Sequence, residues 1–173
     1  MSVYLHSLQK QGTTAKGMDL NVKKTTDITI SPNDLKDPNF EILKQYMSEL
    51  HKCYLDYLEQ WKFLRTMLKS IDVPSFNIQK YSKGDHFALT HCERTSLNTL
   101  HRLFAFMTYL NDVEDGGYTN FSHYGIKIKP EIGKTLIWPA EWTHAHSGEM
   151  LKSGNKYIVT GWMHFPNENS EQI

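Results

Sequence analysis

Two short stretches hold the residue types that could do chemistry together. The first is "THCER", in which His91 and Glu93 are separated by one residue of an extended run. In a strand, residues i and i+2 point to the same face, so an imidazole and a carboxylate placed this way can bite one metal ion. The second is "WTHAHSGEMLKSGNK", from Trp142 to Lys156, which carries His144, His146 and a downstream lysine. A histidine from this distant stretch would complete a facial set of two nitrogens and one oxygen, leaving three positions open. That donor set with open sites suits non-haem Fe(II) and oxygen chemistry. Each piece alone is weak: an H-x-E arises by chance, and a lone strand histidine is more often packed or solvated than ligating. The order carries the weight, with H-x-E, a Gly-Gly turn, a histidine, and then a cation at the start of a last strand.

Elements are needed to position these residues. "DPNF" at 37–40 reads as a helix start, with Asp37 as N-cap and Pro38 at the first helical position. Apolar residues then recur at helical spacing, at Leu43, Met47, Leu50, Tyr54, Leu58, Trp61, Leu64 and Leu68. This predicts one long helix, or two with a break, reaching Lys69, its stripe facing a core. After "DVPS" the period changes to short β-rich runs: "FNIQKYS", "HFALTHCE", "RLFAFMTYLN", "YTNFS", "GIKIKP", "KTLIWP", "THAHSG" and "KYIVTGWMHF". Turn chemistry separates them, in "KGD", "NDVEDGG", "PEIG" and "KSGN". The reading is a mainly β, α+β fold: a sandwich or jelly roll with a long helix packed on one sheet. Residues 1–36 are polar with one β-like run, "DITIS", and predict no defined structure before it.

Composition bounds the function. A chain of 173 residues is long enough for one domain with a sizeable core. We therefore read 1–173 as a single domain: a poorly defined N-terminal segment 1–36, helical support at 37–70 and a β core at 76–166. Nineteen basic residues balance nineteen acidic ones, so no global field draws the chain to nucleic acid or to an acidic membrane. No apolar run reaches the roughly 18 residues of a spanning helix, and the first residues lack the apolar core of a secretory signal. Two distant cysteines, Cys53 and Cys92, suit no disulfide framework and point to a reducing cytoplasm. Six of the nine histidines lie between His86 and His146.

From Tyr81 to Phe165 the chain resembles the catalytic domain of 2-oxoglutarate/Fe(II)-dependent oxygenases. The likeness is to the prolyl 4-hydroxylase-like branch, whose short bacterial and phage members look nearest. The matching pieces are "YSKG" with "HCE", "RLFAFMTYLND", "GGYTNF", "IKIKPEIGKTLIWP" and "HSGEMLKSGNKYIVTGW". The resemblance implies a double-stranded β-helix, a jelly roll. It implies that His91, Glu93 and His146 bind Fe(II), because the family's distal histidine precedes its cofactor-binding cation by ten residues. His146 to Lys156 fits that spacing, whereas His144 lies twelve away and becomes a neighbour. Lys156 would pair with the far carboxylate of 2-oxoglutarate. Tyr81 and Tyr109 match tyrosines that hydrogen-bond or pack on that cosubstrate, and Thr160 and Trp162 occupy positions lining the same pocket. Arg102 falls where relatives place an arginine near the substrate entrance, although a plain surface arginine occupies such a position nearly as often.

The implied activity is a dioxygenase that hydroxylates a C–H bond, releasing succinate and CO2, with ascorbate as reductant. The implied substrate is a prolyl residue of a peptide or protein, with Tyr118, Trp142 and Trp162 available to receive an extended proline-containing strand. No side-chain general base is required. Two alternatives stand beside it: a hydroxylase of a free amino acid, and a non-catalytic jelly-roll binding module with a decayed iron site. The chain departs from the branch in having Glu93 where most members have aspartate. The run from Gly84 to His91 is also one residue longer than the common pattern, which predicts a bulge or shifted strand there.

Overall fold

The computed structural model describes residues 8–14 and 17–166. Of the N-terminal segment 1–36, residues 1–7 and 15–16 lie outside the described residues, as do 167–173. The described chain runs β1 (Lys10–Gln11), β2 (Lys23–Lys24), β3 (Thr26–Ile30), α1 (Glu41–Gln60), α2 (Phe63–Met67), β4 (Phe76–Ser82) and β5 (His86–His91). It continues with β6 (Arg102–Tyr109), β7 (Thr119–Phe121), β8 (Ile126–Ile128), β9 (Thr135–Pro139), β10 (His146–Gly148) and β11 (Asn155–His164). Two antiparallel sheets result, ordered β1-β3-β4-β11-β6-β9 and β2-β5-β10-β7-β8. The mainly β jelly-roll architecture is the one expected.

Alternation along β11 sets the two faces of the six-stranded sheet. Val159 and Met163 join Phe76, Phe104 and Phe106 in the cluster that meets Leu50, Tyr54 and Leu58 of α1, and Gly161 lies against Phe76 and Phe106 on the same face. Gly161 is required there: a Cβ would lie 2.8 Å from the Phe106 ring and 2.9 Å from Phe76 Cβ. The other parity faces the space between the sheets, where Ile158 clusters with Tyr81, Tyr109, Ala105 and Trp138, and Trp162 packs against them. Cross-strand register aligns Trp162, Ala105 and Trp138 in one transverse row. The candidate site lies between the sheets.

The helix start forms as read, with the Asp37 carboxylate accepting from the backbone N–H of Asn39 at 2.8 Å. Pro38–Phe40 makes a 3-10 turn before α1 takes over. The helical pattern then breaks at Trp61, whose φ of −117° and ψ of 66° end α1. That break puts Trp61 out of phase with the buried stripe, and it is 59 % exposed rather than core.

The segment before the helix is more ordered than its polarity suggested. β3 pairs with β4, β2 with β5, and β1 with β3, so both sheets take strands from this region. Ile30 is fully buried against the α1 side. Lys23 and Asp27 are buried together, Nζ to Oδ2 at 2.8 Å. Asp27 also accepts from Thr25 and from Gln79, and Gln79 in turn accepts the Tyr81 hydroxyl at 3.0 Å.

Candidate active site

His91 ends β5 and His146 begins β10, and the two residues are direct antiparallel partners. Their rings therefore sit side by side, with centroids 4.4 Å apart. The expected irregularity in β5 is present: His146 pairs with His91 and Gly148 with Phe87, so the two strands advance by different numbers of residues. Phe87 consequently shares a face with His91 and stacks on its ring at 3.9 Å. Phe121 and Trp138 wall His146, with ring centroids at 5.5 and 5.0 Å.

Both histidines are oriented alike. His91 Nδ1 lies 2.8 Å from the carbonyl of Leu89, and His146 Nδ1 lies 3.0 Å from the carbonyl of His144. A carbonyl only accepts, so Nδ1 carries a proton in each ring, and in the neutral ring the Nε2 lone pair is the one aimed at Glu93's side of the site. Glu93, in a bend just past β5, places Oε1 3.7 Å from His91 Nε2 and 3.4 Å from His146 Nε2. These three donors lie within 4.8 Å of one another and form a group that could hold a metal ion. Cis ligands about 2.1 Å from one ion sit about 3 Å apart, close to these separations. The donor set fits a two-histidine, one-carboxylate facial site. Burial, and then His91 beside it, hold His146 below the usual histidine range, which keeps the ring neutral for ligation.

His144 stands outside this group. It ends a 3-10 turn, Trp142–His144, rather than sitting in a strand, and its ring lies 5.1 Å from Tyr124. It serves through its carbonyl, as the acceptor that orients His146.

Lys156 lies on β11 opposite Tyr81 of β4, both facing between the sheets. The lysine is 3 % exposed. Its Nζ sits 4.2 Å from the Tyr81 ring centroid and donates to the Gly117 carbonyl at 2.8 Å. Among the described residues no carboxylate lies within ion-pair distance of it, in contrast to buried Lys23. Burial lowers its pKa to about 8. Gly117 has φ +68°, and a Cβ there would press on Lys156 Cδ at 3.3 Å, so the Gly-Gly turn is shaped around the lysine. Tyr109 is fully buried, its hydroxyl 2.7 Å from Thr119 Oγ1, and burial raises its pKa to about 12. Thr160 donates to the Phe106 carbonyl.

Two more of the expected residues meet Glu93. Trp162, expected to line the cosubstrate pocket, donates its indole N–H to Glu93 Oε2 at 2.6 Å. Arg102, expected at a substrate entrance, stacks its guanidinium 3.7 Å from the Trp162 ring centroid and donates to the Glu93 carbonyl at 3.0 Å. Of the other aromatics, Trp142 is 70 % exposed, and Tyr118 carries the Lys127 ammonium 4.5 Å from its ring centroid. Sequence reasoning missed Phe87, although its even spacing from His91 signalled a shared face. A cavity of about 720 Å³ opens elsewhere, between α1 and the β8 and β9 edges, and none of the three donors lines it. Phe121 and Trp138 separate the two regions, each lining the cavity and touching His146.

A family model described as the 2OG-Fe(II) oxygenase superfamily matches residues 76–164. The chain belongs to that superfamily. Within it the likeness is to prolyl hydroxylases. Probable prolyl 4-hydroxylase 9 of Arabidopsis thaliana is 26 % identical over 135 residues, covering 63 % of this chain and 47 % of the relative. This oxygenase chain spans about half the length of the curated relatives it matches first. Among solved structures, a prolyl hydroxylase in complex with a hypoxia inducible factor peptide fragment, from Trichoplax adhaerens, superposes with TM-score 0.73. It is 15 % identical, with 99 % of this chain and 77 % of that one covered. A Pseudomonas putida prolyl-4-hydroxylase gives TM-score 0.66 at 17 % identity, over 91 % and 79 %. At these identities the superpositions establish the fold.

Proposed function

We propose that this oxygenase uses Fe(II) and 2-oxoglutarate to hydroxylate a C–H bond of a prolyl residue in a peptide or protein, releasing succinate and CO2. One observation carries the reading: a buried ammonium with no carboxylate in ion-pair distance among the described residues shares the inter-sheet space with a three-donor metal group. An unpaired buried cation is costly unless an anion arrives to meet it. A diacid that chelates metal at one end and meets Lys156 at the other answers both features.

In this reading His91, Glu93 and His146 hold the iron, which supplies the oxidising chemistry when bound. Lys156 anchors the far carboxylate as a point charge. The Tyr81 ring supports that ammonium from below, and Tyr109 and Thr160 wall the same interior. Thr119 and Gln79 keep the two tyrosine hydroxyls satisfied, so the pocket is built before the cosubstrate enters. The apolar rings of Phe87, Phe121 and Trp138 exclude water around the histidines. No described side chain is asked to move a proton.

The prolyl assignment rests on the named relatives, and on the peptide held by the Trichoplax protein. Ascorbate as reductant and a cytoplasmic location belong to the same proposal. No helix among the described residues is long and apolar enough to cross a membrane. The test is succinate formation with Fe(II), ascorbate and 2-oxoglutarate, first without substrate and then with proline-containing peptides or free proline. Stimulation by a peptide and not by free proline supports the reading. Metal binding without any 2-oxoglutarate turnover would favour the binding module.

A further inference from the structure

Glu93 is held at both ends by one pair of side chains. At its backbone, the Arg102 guanidinium donates to its carbonyl oxygen at 3.0 Å. At its tip, the Trp162 indole N–H meets Oε2 at 2.6 Å, while Oε1 faces the two histidines. The two grips are joined, because Arg102 lies 3.7 Å from the centroid of the indole it covers. A second arginine steadies the first: Arg94 Nε donates to the Arg102 carbonyl at 2.9 Å.

The chemistry of a glutamate ligand explains why such a grip matters. Glutamate has one more rotatable bond than aspartate, so an unrestrained Glu93 samples more orientations and ligates with a larger entropic loss. Its two oxygens can also chelate one ion together and occupy two coordination positions. An N–H on Oε2 occupies the outer oxygen and leaves Oε1 as the single donor. A 2.6 Å hydrogen bond from an indole to an ionised carboxylate is of the strong, charge-assisted kind.

We propose that Trp162, braced by Arg102, is the positioning residue that fixes Glu93 as a one-oxygen metal ligand, and that glutamate at 93 and tryptophan at 162 form a matched pair. This rests on the iron-site reading above. An aspartate at 93 is shorter by one C–C bond of about 1.5 Å and would not bridge from the indole to the histidines. The indole N–H is therefore what makes the longer carboxylate usable, and Trp162 has a task apart from lining a substrate or cosubstrate pocket.

The test uses the full chain, Mn(II) as an oxygen-inert probe, and calorimetry plus the Mn(II) paramagnetic resonance spectrum in the absence of any substrate. Trp162→Phe should weaken Mn(II) binding about 10- to 100-fold, the usual effect of removing a partner that orients a ligand. The resonance spectrum should change in the same variant. In the Glu93→Asp background the same replacement should change affinity by less than about threefold, since the shorter carboxylate has no indole contact to lose. If Trp162→Phe fails to fold, 3-benzothienylalanine at position 162, which replaces the N–H with sulfur at nearly constant shape, should give the same loss. Unchanged Mn(II) affinity in both replacements would overturn the pairing while leaving the iron site standing. An equal loss in both backgrounds would also overturn it, as the mark of general packing. A wild-type chain that binds no Mn(II) would overturn the metal site and the pairing together.

Discussion

Lys156 rests its ammonium 4.2 Å from the centroid of the Tyr81 ring, on the facing strand of the same sheet. A cation over an aromatic face is stabilised, but far less than one that meets a carboxylate, so the pair makes an incomplete solvent substitute. This incompleteness makes the position sensitive to ligand, to pH and to substitution.

Replacing the lysine should separate cosubstrate from metal. Lys156→Ala would leave the far carboxylate of 2-oxoglutarate buried and unpaired, at about 2–5 kcal/mol. This corresponds to on the order of 30- to 4,000-fold weaker binding. Mn(II) affinity should stay within about threefold of wild type, because the lysine is no part of the donor group. Calorimetry with 2-oxoglutarate and with Mn(II) separately checks both halves, and unchanged 2-oxoglutarate affinity would remove the lysine's assignment.

The same lysine predicts a pH dependence. With its pKa lowered by burial to about 8, the free protein loses this charge as pH rises through that value. Affinity for 2-oxoglutarate should then fall about tenfold per pH unit above 8. Stability of the ligand-free protein should move the opposite way. Between about 8 and the ordinary lysine value of about 10.4 the unfolded chain binds more protons, so unfolding free energy rises with pH from this group. Titration of the Lys156→Ala variant should lose both trends.

His146 and its near neighbour His144 should behave differently. His91→Ala and His146→Ala should abolish the rise in melting temperature given by Mn(II), an effect that EDTA should reverse in wild type. His144→Ala should keep most of it, because its contribution to His146 comes through a backbone carbonyl that alanine retains. A dead His144→Ala beside an intact His146→Ala would move the distal ligand by two residues.

The strands before the helix predict a stability effect remote from the metal. Asp27→Ala leaves Lys23 buried without its partner, at about 3–5 kcal/mol. The melting temperature should drop by roughly 6–20 °C, given roughly 2–4 °C per kcal/mol for a chain near this size. Asp27→Ala with Lys23→Met should recover much of the loss. A single variant as stable as wild type would show that the pair is not buried in solution.

The donor residues and the lysine were legible because their signals are local and ordered along the chain. His91 and Glu93 sit two apart, and His146 stands ten before Lys156. The core strands were legible from alternation, and the irregularity in β5 from a Gly84-to-His91 run one residue longer than the family's common pattern. β3 was legible as "DITIS", but β1 and β2 were not, because what buries Lys23 is Asp27, and a polar run reads the same whether its charges meet solvent or one another. The hydrogen bond from Trp162 to Glu93 links residues 69 apart, and no periodicity of either strand points to it. Trp61 was misplaced for a smaller reason: the spacing of the helical stripe continues through a position where the backbone itself stops.

The uneven ladder between β5 and β10 sets a rule for chain length. From His91 to Phe87 is four residues on one strand, against the two from His146 to Gly148 on the other. The surplus is even, so Phe87 and His91 both keep their side chains turned toward the metal side. A deletion of two residues between Phe87 and His91 would straighten the ladder and leave the imidazole facing inward. A deletion of one would turn it to the opposite face, with every other residue type unchanged. The metal centre thus counts in pairs: insertions and deletions in this strand are tolerated by parity before they are judged by chemistry.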